Sequence, residues 1–520
     1  MTTQKNRVLG SSRQFGQNGR SDPTISPFKN PFIDDGEAET LVVGENEPKP
    51  ERDLNRFLRI LFFFARVILH VVVFDLLLTR VPLLGSSIRF SRPRRFRAWS
   101  RRFRILALAM GGVLIKLGQF LSARVDVLPI EVTEELIGLQ DEVPSEDPWR
   151  MFAVLEHEIG SISTHFAKIE EQPLAAASLG QTHRAWLKPH NGSSEGDAVV
   201  VKIQRPEIEK IVNTDLEALY IVARWLMRYQ PIRKRANVPA LMKEFGITLW
   251  EELDYRAEVA NLHRFEEIHA NDEQVYIPKV YESLCSERVI VLENVESIKI
   301  MQVDRMIEAG INPKEVADVL LTTYFKQVFQ IGFFHADPHP GNLFVMPRPD
   351  AAWTPIYNGS GEMRLDRPFW LVFVDFGMVG RVPDVQGELL QKVLISIAQQ
   401  DARGLTESYD KLGFFLPGAD LERIVEAQTE ILERIYGRNL LELARPDPEE
   451  LKELGEQFRD LLFDFPLQVP QDFIYLGRAI GIVSGLVSML DEDVNPWYFI
   501  EKFGQELVKE QVGQQFKLEN

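Results

Sequence analysis

Residues 335–342 read His335-Ala336-Asp337-Pro338-His339-Pro340-Gly341-Asn342, and an apolar run over 369–374 leads into Asp375-Phe376-Gly377. An acid, an amide five residues on, and a second acid at the exit of an apolar strand constrain this chain more than any other feature. Asn342 and Asp375 offer oxygen donors of the kind a hard divalent cation takes. Asp337 is a carboxylate free to orient a nucleophile or accept its proton. Phosphoryl transfer at a kinase-type site requires these parts in this order. Asp-aromatic-Gly alone is also an ordinary strand-end turn; the ordered pair carries the reading.

Any fold that satisfies this pattern must bring two separate loops to one cleft. The chain has 520 residues, 45% apolar and 26% charged, which is ample for a large two-lobed domain with extensions. Its single cysteine, Cys285, excludes an internal disulfide framework and fits a reducing compartment. A net charge of −17 argues against a nucleic-acid partner.

The charge is unevenly spread. Over 80–104 stand Arg80, Arg89, Arg92, Arg94, Arg95, Arg97, Arg101, Arg102 and Arg104 with no acid among them. The preceding 57–78 is dense in Phe, Leu, Ile and Val, interrupted by Arg59, Arg66, His70 and Asp75, so it lacks the clean apolar span of about 20 residues that a membrane-crossing helix needs. An apolar helix abutting arginines suits a membrane surface with anionic lipid; packing onto the domain beneath a solvated basic face is the plainer alternative. It begins too late for a signal peptide and lacks a small-residue cleavage site.

The chain divides into a polar tail over 1–50, the apolar and arginine-rich 51–105, a helical extension over 106–163, a strand-containing 164–295, and a mainly helical 296–520. Helical spacing with few breaks is expected over 105–139, 207–229 and 238–270. Strands are expected over 164–169, 182–187, 197–204 and 288–292, with a polar turn over 190–196. The Pro- and Gly-containing 346–368 reads as a surface loop or hairpin. The apolar 481–490 is too short to span a bilayer.

Lys202 lies among β-branched residues in Ala198-Val199-Val200-Val201-Lys202-Ile203, so its neighbours are buried while its ammonium seeks a partner. A glutamate partner is expected on a following helix. Trp250-Glu251-Glu252-Leu253-Asp254-Tyr255-Arg256-Ala257-Glu258 offers several, with Asp254 and Glu258 on one helical face. Where glycines would cradle phosphates, the chain has Leu174-Ala175-Ala176-Ala177-Ser178-Leu179-Gly180-Gln181-Thr182. An alanine Cβ disfavours the positive φ that such cradles use, so this loop grips phosphate differently. Lys116 and Gln119, three apart on an apolar helix, face one way; a lysine snorkelling from a packed helix is the plain reading.

On these residues the chain resembles the ABC1/UbiB/ADCK family of atypical protein-kinase-like proteins, and most of all its cyanobacterial and plastid branch. The resemblance spans roughly 80–500. It rests on K-x-G-Q at Lys116–Gln119, the alanine loop, the Lys202 strand, E-x-D at Glu252–Asp254, and the Asp337 and Asp375 motifs. It implies an α+β, bilobal protein-kinase-like fold with a helical N-terminal extension carrying K-x-G-Q and a mainly helical C-lobe. It further implies ATP or ADP with Mg2+ as cofactors, Lys202 paired with Glu258 on the phosphates, Asp337 as catalytic carboxylate, and Asn342 and Asp375 as magnesium ligands. The K-x-G-Q helix is expected to fold over the nucleotide pocket, with Lys116 meeting Glu252 or Asp254, which disfavours a polypeptide substrate. Two departures from ordinary kinases stand out: His339 replaces the cation often found two residues after the catalytic Asp, and no Ala-Pro-Glu follows Asp375.

The resemblance implies a role in prenyl-quinone or isoprenoid-lipid metabolism, with a prenyl-lipid or quinone-pathway partner, in the cytoplasm and peripheral to a membrane. A nucleotide-binding scaffold without phosphoryl transfer is the alternative of a different class. A small-molecule kinase of the aminoglycoside type would lack the K-x-G-Q helix. His335 is expected to brace backbone rather than bind metal.

Overall fold

The computed structural model describes residues 52–518 apart from 82–84, 123–127, 138, 140–142, 190–195, 234–236, 296, 350, 352, 357–362, 464–467 and 469. The expected tail over 1–50 and most of the polar turn over 190–196 lie outside these residues. The strands are β1 (Phe166–Ile169), β2 (Ala175–Ala176), β3 (Gly180–Leu187), β4 (Ala198–Gln204), β5 (Val275–Tyr276) and β6 (Val289–Glu293). They continue with β7 (Ile298–Lys299), β8 (Phe333–His335), β9 (Leu343–Pro347), β10 (Phe369–Phe373) and β11 (Val379–Arg381). The helices that position the site are α1 (Leu54–Val71), α2 (Arg92–Met110), α3 (Val113–Ser122), α4 (Pro148–Ile159) and α5 (Ile208–Leu226). To these add α6 (Val238–Leu253), α7 (Tyr255–Ile268), α8 (Pro313–Phe325) and α9 (Gln471–Leu490).

The smaller lobe is an antiparallel sheet in the order β1-β3-β4-β6, with β2 added beside β3. Alternation along β4 decides its faces. Val199, Val201 and Ile203 are buried in a core with Met151, Phe152 and Leu155 of α4. Lys202 and Val200 point to the opposite face.

The larger lobe holds the sheet β5-β10-β9-β7 and a β8-β11 ribbon on a core shared with α8 and α9. β9 and β10 pair antiparallel from Phe369↔Pro347 to Phe373↔Leu343, and Met346 and Pro347, expected in the surface insert, belong to β9.

Two helical expectations are corrected. The run over 105–139 breaks at Gly111 and Gly112, whose φ of 64° and 62° end α2 and reset the direction of α3. The run over 238–270 breaks at Asp254, which has φ −90° and ψ 95° and caps α7, its carboxylate accepting the Arg256 N–H at 3.1 Å. Asp254 and Glu258 therefore do not share the face of one helix.

The apolar 57–78 lies within one continuous helical run, Leu54–Arg80, formed by α1 and its π-helical and 3₁₀ continuation. Among the described residues this run and Phe473–Leu490 are long and apolar enough to cross a membrane by length and composition alone. They differ in packing: 6% of the first is buried against 39% of the second. Phe473, Leu476, Ala479, Val483 and Val487 form a stripe in the larger core, so α9 is a core helix here. The arginine cluster is also less free than its local sequence suggests. Arg92 and Arg95 reach Asp75, and Arg97 and Arg101 reach Glu134 and Glu135.

One buried ion pair locks α1 to the rest. Arg56 binds Asp215 of α5 through Nε–Oδ1 and Nη2–Oδ2, both 2.6 Å, and Asp215 is wholly buried. The same guanidinium donates to Met110 O at 2.6 Å and Gly111 O at 3.0 Å, the carbonyls left open at the C-terminus of α2. Arg56→Ala leaves a buried carboxylate unpaired and is expected to cost about 3–5 kcal/mol in urea unfolding followed by circular dichroism. A loss under about 1 kcal/mol would show that Asp215 finds another partner.

Candidate active site

Lys202 occupies the cleft face of β4, and its ammonium donates to both oxygens of Glu258, at 2.9 and 2.8 Å. It also stands 3.3 Å from Asp375 Oδ2. Glu258 arrives from α7, the third long helix after β4 rather than the first. The Tyr255 ring lies 5.2 Å from the ammonium. Burial pushes the Glu258 carboxyl up to about 7 against the pull of Lys202, and Asp375 adds to the rise. Burial opposes the charge on Lys202, but Asp375 and Glu258 more than reverse it, holding its ammonium well above the ordinary value. Burial would raise Asp375 too; Lys202 and then Lys116 outweigh it, and its carboxylate stays below the usual range.

The β9-β10 hairpin brings the two motif loops together. Val374 N–H donates to Asn342 O at 3.0 Å, extending the ladder to the residue before Asp375. Asn342 Nδ2 donates to Asp337 O at 3.1 Å, which leaves Oδ1 as its acceptor atom. Asp375 itself has φ 62°, a conformation uncommon for a residue with a Cβ, and the surroundings enforce it. His335, fully buried, meets Asp375 O through Nε2 at 2.8 Å; the partner is a carbonyl, so that nitrogen carries the proton. Asn261 donates to Phe376 O at 3.0 Å, and the buried Phe376 ring packs 5.0 Å from Phe265. Gly377 lies close under the site: a Cβ there would crowd Asp375 Oδ1 at 3.2 Å and touch Glu258 Oε2 at 3.5 Å. His335 thus braces backbone.

The extension crosses the same cleft. Lys116 of α3 pairs with Glu252 at the end of α6, not with Asp254, which is spent on capping α7. Gly118 has no room for a side chain because Leu139 fills that space, and Gln119 Nε2 donates to Leu139 O at 3.4 Å. The alanine loop is a β2-β3 hairpin with Ala175 opposite Thr182 and Ala176 opposite Gln181, closed by Ala177 N–H to Gly180 O at 2.9 Å. Leu174 is exposed, whereas Ser178, Leu179 and Gln181 are buried. Gln181 accepts the Glu146 N–H at 2.8 Å and meets His183, so it serves the loop's support. Thr182 lies directly across from Lys202 and shares its face.

Three residues had no role in the sequence argument. Tyr255 backs Lys202. Gln204, two residues past Lys202, donates to Leu253 O and Glu287 O, fixing the chain between Glu252 and Asp254. Arg478 of α9 donates through Nη2 to Asp337 Oδ1 at 2.9 Å. Its one signal was a lone charge in an otherwise apolar run over 473–490.

Among the described residues no cluster of three or more His, Cys, Asp or Glu could hold a metal. Asn342 and Asp375 nonetheless fit a magnesium that keeps phosphate and water oxygens for its remaining positions, as that ion does in phosphoryl-transfer sites. The ammonium between two carboxylates fits a phosphate contact.

A sequence profile of the ABC1 atypical kinase-like domain matches residues 138–409. The chain is 31% identical over 389 residues to an uncharacterized protein of Synechocystis sp., covering 75% of this chain and 63% of that one. It is 32% identical over 419 residues to Protein ACTIVITY OF BC1 COMPLEX KINASE 7, chloroplastic, of Arabidopsis thaliana, covering 80% and 55%. To a Probable protein kinase UbiB of Actinobacillus pleuropneumoniae it is 29% identical over 468 residues, covering 89% and 81%. It spans less than two thirds of the length of the first two.

Gly180 is the alanine loop's test position. A Cβ there would overlap Tyr255 Oη and stand 2.8 Å from Ile203 O. Gly180→Ala is expected to cost about 1–3 kcal/mol of stability by overpacking and to weaken nucleotide binding by displacing Tyr255 from Lys202. Thermal melting and a fluorescent-nucleotide titration read the two effects; a wild-type value in both would show that the loop does not depend on this contact.

Proposed function

Because the chain belongs to the ABC1 atypical kinase-like family, we propose that it binds a magnesium nucleotide in the cleft of Lys202, Glu258 and Asp375 and transfers or hydrolyses the terminal phosphoryl group. The observation that carries this is the Lys202 ammonium held between Glu258 and Asp375, with Asn342 one ladder step away. Lys202 binds phosphate oxygens, and Glu258 keeps its ammonium in place. Asn342 Oδ1 and the Asp375 carboxylate hold magnesium, which when bound supplies positive charge to the phosphates. Asp337 orients a hydroxyl or water and takes its proton.

The acceptor is a small molecule or lipid rather than a polypeptide. The Lys116–Glu252 pair, which draws α3 across the cleft, supports this. Prenyl-quinone or isoprenoid-lipid metabolism is the pathway class, supported by the family resemblance and by the names of the kinase relatives above. Membrane association is supported by α1, whose Leu58, Phe62 and Leu69 are exposed, and by the exposed Arg89 and Arg94 that follow. A scaffold that binds nucleotide without turnover is the second reading, favoured by the alanine loop in place of a glycine cradle and by the helix that Lys116 draws across the cleft.

Phosphate release from magnesium-ATP by the purified chain tests both readings. Release is expected to rise with anionic liposomes and to fall to background in Asp375→Asn. Undiminished release in that variant overturns the site. Magnesium-nucleotide binding without release by the wild-type chain selects the scaffold.

A further inference from the structure

We propose that Arg478 is a catalytic residue of this site, supplying from α9 the cation on the transferring phosphoryl group that the loop itself lacks at position 339. The inference rests on the phosphoryl-transfer reading above. His339 stands two residues past Asp337, and its Nδ1 accepts the Gly341 N–H at 3.2 Å. The loop's own geometry thus uses the ring to shape the turn.

Arg478 compensates from another element. It is the lone charge between Phe473 and Leu490, and its side chain is only 18% exposed. Taking a guanidinium out of water on a core helix is costly unless it has a partner, and Nη2 meets Asp337 Oδ1 at 2.9 Å. The helix cannot drift, since Leu476, Ala479 and Val483 on either side are buried in the larger core. Among the described residues Asp337 is its one polar partner, which leaves Nε and Nη1 for phosphate oxygens in the fork geometry that arginine offers and lysine does not. Arg478 also lines a narrow recess with Lys116, Gln119, Glu252, Met378 and Tyr475. Two cations from outside the loop thus line this recess, Arg478 bound to Asp337 and Lys116 bound to Glu252.

In the step itself an acceptor oxygen bonds to the γ-phosphorus while the bond from that phosphorus to the β,γ-bridging oxygen breaks. The electron pair leaves on ADP, and the acceptor's proton passes to the Asp337 carboxylate. Arg478, in place beside that carboxylate, stabilises the charge on the γ-oxygens as both bonds change.

Phosphate release and magnesium-ATP binding are measured for wild type, Arg478→Gln and Arg478→Lys, with Asp375→Asn alongside. The glutamine variant is expected to lose at least about a hundredfold in kcat while its magnesium-ATP Kd stays within about threefold, as for loss of a charge-stabilising arginine. The lysine variant, which keeps the charge and is the safer fold, is expected to recover about tenfold of that loss. An unchanged kcat in the glutamine variant overturns the inference, as does a lysine variant no better than glutamine. A raised kcat overturns it in favour of an arginine that only blocks Asp337. Affinity lost in proportion to kcat overturns it in favour of a binding or folding role. Release by wild type that Asp375→Asn abolishes and Arg478→Gln leaves intact sinks this inference alone; no release by wild type sinks the phosphoryl-transfer reading and Arg478 with it.

Discussion

A single ammonium between two carboxylates organises this molecule. Lys202, on a strand of the smaller lobe, reaches Glu258 on α7 and Asp375 at the exit of β10, and the buried Lys202 and Glu258 each depend on the other's charge. The alternation of β4 aims the lysine away from the core, and the Asp254 cap starts α7 where Glu258 comes up beneath it. Asp375 is delivered by the β9-β10 pairing and held in its unusual backbone conformation by His335, Asn261 and the buried Phe376. Remove the ion pairs and these devices have no common purpose.

The extension is tied into the same structure at two points. Lys116 pairs with Glu252, whose chain is held by Gln204 from the strand that bears Lys202. Farther out, Arg56 joins α1 to α5 and to the Gly111 turn that launches α3. An apolar, outward-facing helix is therefore linked through one buried guanidinium to the turn preceding the Lys116 helix. That path is rigid at both ends, with Asp215 wholly buried and Gly118 packed against Leu139.

Where local patterns met local physics, the sequence was legible. Val199, Val201 and Ile203 alternate with Lys202, so the strand and the lysine's face could be predicted. The loop and strand-end motifs named Asp337, Asn342 and Asp375, and the β9-β10 pairing does bring the three together. The helix over 238–270 was misread because Asp254 is compatible with either a helix interior or a cap, and only the backbone turn at Leu253 and Glu287 chooses. The arginines over 80–104 read as unopposed because Asp75, Glu134 and Glu135 lie outside that window.

By itself the sequence determined the kinds of side chain this site can use: a loop acid and amide, a strand-end acid, a strand lysine, a loop of alanines with one glycine, and an apolar segment beside basic residues. Those follow from side-chain type and short-range periodicity, which no tertiary contact alters. Tertiary structure alone decided the pairings: Lys116 with Glu252 rather than Asp254, Glu258 from the third helix, Arg478 on Asp337 across the larger lobe. Such contacts join residues far apart in the chain. Their choice depends on how buried faces pack and which charges must be neutralised together, and no local pattern encodes that.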